Sequence, residues 1–185
     1  MWTAHKLAAC GYGVAPMKTL LLLRHGKSSW SDDSLADHDR PLKKRGRRAA
    51  QQMGRLLAEL QLVPDLVLTS TAIRARDTAV LMADTAGYRG TISGIAELYH
   101  AEPAAFVEVV SQVSTEPEAI LVVGHNPGFE DWLLQLVGSR HELPTAALAQ
   151  IELPVESWGE VARETRGTLR GLWVPKDVAD EESSK

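Results

Sequence analysis

Apolar residues along this chain gather in short unbroken runs, separated by longer stretches in which they recur every three or four positions. Leu20, Leu21, Leu22 and Leu23 form the first run and residues 119–123 the strongest later one; runs of this length read as strands buried on both faces. Residues 66–68, a brief segment near 91–93, and the runs 148–153 and 169–174 complete the expected strands. Between them, Leu42, Ala49, Met53, Leu56, Leu57 and Leu60 keep a helical spacing, opened by Pro41 and closed before Pro64. A second helix is expected over 72–86, capped by the hydroxyls of 69–71 and stopped by Gly87. A third opens at Pro103 with Phe106, Val109, Val110 and Val113 inward, and a fourth is capped by Asn126 and Pro127 and buries Trp132, Leu133, Leu136 and Val137. Alternation of strand and helix predicts an α/β fold: a three-layer α/β/α sandwich with a mainly parallel central sheet.

At 185 residues the chain suits one domain, expected over 17–176, with a flexible extension at 1–16 and a disordered tail at 177–185. Leu7, Ala8, Ala9 and Cys10 have the residue types of a lipoprotein cleavage site, but no apolar segment of signal-peptide length precedes them. A formal charge of −4 argues against a nucleic-acid or anionic-membrane partner, so any phosphate site must be a local basic pocket. The single cysteine, Cys10, excludes an internal disulfide framework and fits a reducing cytoplasm, and no stretch is long and apolar enough to span a bilayer. The cluster Lys43, Lys44, Arg45, Arg47 and Arg48 reads as a solvated helix face.

Two of the strong strands end in the same way. The leucine run stops at Arg24, His25 and Gly26, and the run 119–123 stops at Gly124, His125 and Asn126, 100 residues further on from His25 to His125. In a parallel sheet every strand brings its carboxyl end to one rim, where α/β proteins bind ligands, so the two histidines are expected to meet there with Ser70 and Arg74. Two imidazoles and two guanidiniums suit phosphoryl transfer, in which charge spreads over three oxygens. Arginine forks match phosphate oxygens in pairs, and a neutral imidazole can attack phosphorus to form a phosphohistidine. Arg24 and Arg74 should keep that ring neutral. Nothing in the chemistry requires a metal, and the six histidines lack H-x-x-x-H or H-E-x-x-H spacing. A serine-hydrolase elbow and a P-loop are also missing from the sequence. Ser28, Asn126 and Thr145 suit either the pocket or capping and turn roles, and Trp30 and Trp132 read as packing residues.

Three blocks, Leu22-Leu23-Arg24-His25-Gly26, then Ser70-x-x-x-Arg74-Ala75-x-x-Thr78-Ala79, then Gly124-His125-Asn126, resemble the histidine phosphatase superfamily, with its phosphoglycerate mutase-like fold and R-H-G signature. Lys27-Ser28-Ser29-Trp30, Asp39-Arg40-Pro41-Leu42 with Arg45-Gly46, and His125-Asn126-Pro127-Gly128 make the chain similar to the short SixA-like phosphohistidine phosphatase branch. The resemblance implies His25 as the phosphorylated nucleophile, with Arg24, Arg74 and His125 completing the phosphate pocket and no cofactor. It implies a phosphorylated protein or a small phosphorylated molecule as substrate. Phosphohistidine in proteins is the leading expectation; a small phosphomonoester, or a non-catalytic phosphoprotein-binding module, is the alternative. The family's larger members carry a proton-donating glutamate in an L-x-E context after the third strand. Here Leu98-Tyr99-His100 puts His100 at that position and Glu97 three residues earlier, so either is a candidate donor.

Overall fold

The computed structural model describes residues 16–182. The flexible extension expected at 1–16 therefore lies, except for Pro16, outside the described residues, as do 183–185. Six strands, β1 Lys18–Arg24, β2 Leu66–Ser70, β3 Ile92–Ile95, β4 Ala119–Gly124, β5 Leu148–Leu153 and β6 Thr168–Trp173, form one sheet in the order β3-β2-β4-β1-β5-β6. The first four are mutually parallel, and β5 and β6 add an antiparallel edge. The sheet is thus mixed: β3, β2, β4 and β1 run parallel from one edge, and β5 and β6 complete the other side.

The leucine run explains why β1 sits in the middle. Leu20 and Leu22 enter the core beneath α3 Pro103–Ser111 and α4 Gly128–Val137, while Leu21 and Leu23 enter the core beneath α1 Lys44–Glu59 and α2 Ile73–Ala86. All four are fully buried, each contributing about 1.5–3 kcal/mol. Only a strand covered on both faces can use four consecutive leucines.

Four local expectations change. Helix α1 begins at Lys44, because Leu42 first pairs with Ser28 in an antiparallel bridge and Lys43 N–H donates to the Lys27 carbonyl at 2.8 Å. Helix α2 has Ala72 at its N-cap with no side-chain cap, and Pro127, not Asn126, holds the N-cap of α4, again with none. The expected structureless tail begins as a helix, α5 Pro175–Glu182, whose Val178 is buried against the α1/α2 core. Gln52 Nε2 on α1 donates to the Pro175 carbonyl at 3.1 Å and ties this helix down.

Two close approaches fix the loop after β1. A Cβ on Gly26 would lie 2.6 Å from the Gly46 carbonyl oxygen, and a Cβ on Gly46 would overlap the Lys27 backbone. Only hydrogen atoms at both positions let the start of α1 press onto that loop.

Candidate active site

The parallel strands deliver their carboxyl ends to one rim. Arg24 ends β1 and pairs in register with Gly124 at the end of β4, so His25 and His125 follow side by side. His25 N–H donates to the Gly124 carbonyl at 3.0 Å, and the two imidazole centroids are 5.0 Å apart. Ser70 closes β2, and Arg74 lies in the first turn of α2.

Arg24, His25, Arg74 and His125 line one cavity of about 250 Å³, together with Ser28, Asn126, His100 and Thr145. Glu97 does not join them. The turn Ala96–Leu98 drives Leu98 fully into the core and leaves Glu97 exposed on a separate groove with Glu108 and Gln112. His100, held at φ 52° directly after Tyr99, lines the cavity with its ring 6.1 Å from that of His125.

Hydrogen bonds settle which nitrogen of His25 is free. Its Nδ1 is 2.7 Å from the Gly26 carbonyl oxygen, which can only accept, so Nδ1 carries the proton and Nε2 the lone pair. Gly26 N–H in turn donates to Thr78 Oγ1 at 3.0 Å, and the Thr78 hydroxyl donates to the Arg74 carbonyl at 2.6 Å. His125 Nε2 meets Ser70 Oγ at 2.8 Å, and the same oxygen accepts from Ala72 N–H at 3.3 Å. The hydroxyl expected to cap α2 is thus drawn to the histidine. Buried Arg24 Nε, His125 Nδ1 and Asn126 Oδ1 have no partner among the described residues. Buried polar groups without partners carry a desolvation cost, which a bound oxyanion would relieve at the two nitrogens.

Burial pushes His25 down to about 4, and Arg74, Arg24 and Arg40 add to the effect against the Gly26 carbonyl. His125 is lowered to about 3 by burial, then by His25, Arg74 and His100, with Asp37 opposing. Both rings are neutral at neutral pH, as a nitrogen nucleophile must be.

Two residues given no site role from the sequence complete the site. Arg40, buried, lines the cavity as a third guanidinium; it donates from Nε to the Ser29 carbonyl at 2.8 Å and from Nη2 to Ser28 Oγ at 2.7 Å. Its guanidinium also stacks 3.2 Å over the ring of Trp30. Trp30 is 67% exposed at the cavity mouth, so it is not the packing residue expected, whereas Trp132 is. Asp37 binds the guanidiniums from behind: Arg40 Nη1 donates to its Oδ1 at 2.6 Å, and Arg74 Nη2 and the Tyr99 hydroxyl each donate to its Oδ2 at 2.8 Å. Although desolvation opposes ionisation, the bonds from Tyr99, Arg40 and Arg74 hold its carboxyl well below the usual range. The Asp39-Arg40-Pro41-Leu42 block was the available signal for Arg40. Asn126 is absorbed by structure, donating from Nδ2 to Glu130 Oε1 at 2.7 Å and to the Leu143 carbonyl at 3.0 Å. Among the described residues, no three His, Cys, Asp or Glu side chains are grouped to hold a metal, and no helix is long and apolar enough to cross a membrane.

A family model for the histidine phosphatase superfamily (branch 1) matches residues 20–99, which include Arg24, His25 and Arg74. An uncharacterized chloroplastic protein of Arabidopsis thaliana is 35% identical over 152 residues, covering 77% of this chain and 70% of its own. An uncharacterized protein of Mycobacterium tuberculosis is 43% identical over 106 residues, 57% of this chain and 63% of that protein, a little under two thirds. Among solved structures, a chain from Agrobacterium tumefaciens provisionally assigned as phosphohistidine phosphatase SixA is 28% identical, with a TM-score of 0.74 over 85% of this chain and 98% of its own.

Proposed function

We propose that this chain, which belongs to the histidine phosphatase superfamily and is a phosphatase, dephosphorylates phosphohistidine in proteins through a phosphoryl group carried briefly on His25. Nε2 of His25 attacks phosphorus in line with the departing nitrogen, forming a new N–P bond as the substrate's N–P bond breaks. Arg24, Arg40 and Arg74 face the three equatorial oxygens, where charge is concentrated in the transition state. With Ser70 donating to Nε2 of His125, Nδ1–H of that ring is left to donate to a phosphate oxygen. Water then attacks the phosphorylated His25, releasing phosphate and restoring the neutral ring. Because guanidinium groups supply the charge, the reaction is metal-independent. The single cysteine suits a reducing cytoplasm as its place of action.

One observation carries the choice of substrate: among the described residues, no carboxylic acid lines the cavity. An ester oxygen leaves as an alkoxide and needs a proton from the enzyme. A phosphorylated imidazole takes its proton from water beforehand, on its other ring nitrogen, and departs as neutral imidazole. His100 sits where it can assist, without being required.

Phosphate release from a histidine-phosphorylated protein, compared with a panel of phosphomonoesters in the presence of EDTA, tests the reading. Preferred turnover of the phosphoprotein and an acid-labile phosphoenzyme that disappears in His25→Ala are expected. A strong preference for one small ester, loss of activity in EDTA that zinc restores, or labelling retained in His25→Ala would overturn the substrate, the metal independence or the nucleophile, respectively. Binding of the phosphoprotein without turnover would favour a non-catalytic module.

A further inference from the structure

The phosphate cavity shares wall residues with two larger grooves of opposite charge. At one wall it shares Lys27 and Thr145 with a groove of about 560 Å³, which adds Arg45 and Lys176 over an apolar floor of Ala49, Val174 and Pro175. At the other it shares His100, His125 and Asn126 with a groove of about 520 Å³, which adds the carboxylates of Glu102 and Asp131 beside Pro103 and Leu134. The two grooves have no residue in common. Arg45 and Lys176 are exposed, and no carboxylate pairs with either of them, or with Lys27, among the described residues. Arg45 belongs to the basic face that the sequence assigns to solvent alone. Here it forms the wall of a concavity that adjoins the His25 cavity through Lys27 and Thr145.

We propose that the cavity is the middle of a substrate trough, and that the trough takes an extended polypeptide whose phosphohistidine is flanked by acidic side chains on one side and basic side chains on the other. This rests on the phosphohistidine reading above and adds the sequence context. A phosphate pocket of about 250 Å³ accommodates the reacting group and little else, so flanking residues must lie in the adjoining grooves. The apolar floor of the basic groove and the Pro103 and Leu134 side chains of the acidic one supply contact area, and the charges set direction. A small phosphomonoester would have no use for either groove. A substrate with like charges on both sides would meet one repulsive wall, which is where the discrimination arises.

The test is a set of four phosphohistidine peptides, with flanks acidic–basic, basic–acidic, acidic–acidic and basic–basic in chain order, using free phosphohistidine as the reference in every protein. One of the two mixed peptides should exceed the others in kcat/KM by about tenfold at low salt, with the preference shrinking as ionic strength rises. In the full-length double variant Arg45→Glu/Lys176→Glu, the acidic flank should lose its advantage and the basic–basic peptide should gain relative to the reference. Glu102→Lys/Asp131→Lys should do the converse. Equal turnover of all four peptides beside active hydrolysis of free phosphohistidine would overturn the trough and leave the phosphatase reading standing. No hydrolysis of any phosphohistidine would overturn both.

Discussion

The rings of His25 and His125 lie 5.0 Å apart, tilted by 56°, within a shell of three guanidiniums. A charge on either ring disfavours charge on the other, and burial disfavours both. With His25 lowered from 6.5 to about 4, the unfolded chain takes up a proton between those pH values that the folded chain refuses. The stability from this group is therefore complete above about pH 6.5 and is lost as pH falls through 4, by about 3 kcal/mol. Histidine-selective NMR should show both rings neutral at pH 5, with His25 as the Nδ1–H tautomer. Titration of His25 near 6.5 would remove the electrostatic basis for its role.

Ser70→Ala should lower kcat about tenfold, roughly 1.4 kcal/mol of transition-state stabilisation, by leaving Nε2 of His125 without its partner at 2.8 Å. The same variant should shift the His125 tautomer balance in the NMR spectrum, and Ser70→Thr should restore both. A fall in kcat with the His125 signals unmoved would point to damage elsewhere.

Asp37→Asn removes the anion that holds Arg74 and Arg40 from behind. Because Asp37 is about one-third exposed, the expected loss is about 1–2 kcal/mol in the ligand-free protein, read by urea denaturation. An oxyanion such as tungstate should then raise Tm more in the variant than in the parent, since it supplies the missing negative charge. An equal or smaller rise would show that Asp37 does not share the role of countercharge.

Gly46→Ala should destabilise the protein by about 1–3 kcal/mol and reduce activity, because its methyl group would overlap the Lys27 backbone two residues past His25. Gly87→Ala is the contrast. At φ 74° with no atom within 4 Å of the added carbon, it should cost only the left-handed backbone, about 1 kcal/mol, and leave kcat alone. Equal effects on kcat would deny the special standing of the Gly26–Gly46 approach.

The parts legible in the sequence are those that follow from periodicity and strand ends. Four leucines ending at Arg24, and a second apolar run ending at Gly124, suffice to bring His25 and His125 together once the sheet is parallel. Residues 28–43 have no periodicity to read, so Asp37 emerges only from its partners Arg74 and Tyr99, 37 and 62 residues away in the chain, and the place of Arg40 in the cavity wall from its bonds to Ser28, Ser29 and Asp37. Ser70 and Asn126 were legible as polar residues beside helix starts, but each had a stronger partner, His125 and Glu130, that local sequence does not show. Trp30 looked like core by residue type. Its stacking on Arg40 at the cavity mouth depends on a loop fold that composition does not encode.

In the parallel part of the sheet, the two ends of each strand are separated by the strand's full length. The connections before β2, β3 and β4 all lie on the rim opposite His25, and none contributes a residue to the cavity. Chain on that side is free to lengthen, be cut or be joined to other domains without disturbing the chemistry. Circularly permuted forms opened at 60–65, 87–91 or 112–118 should therefore still assemble a working pocket, since what must persist is the lateral pairing of β1 with β4 and not the order in which they are made.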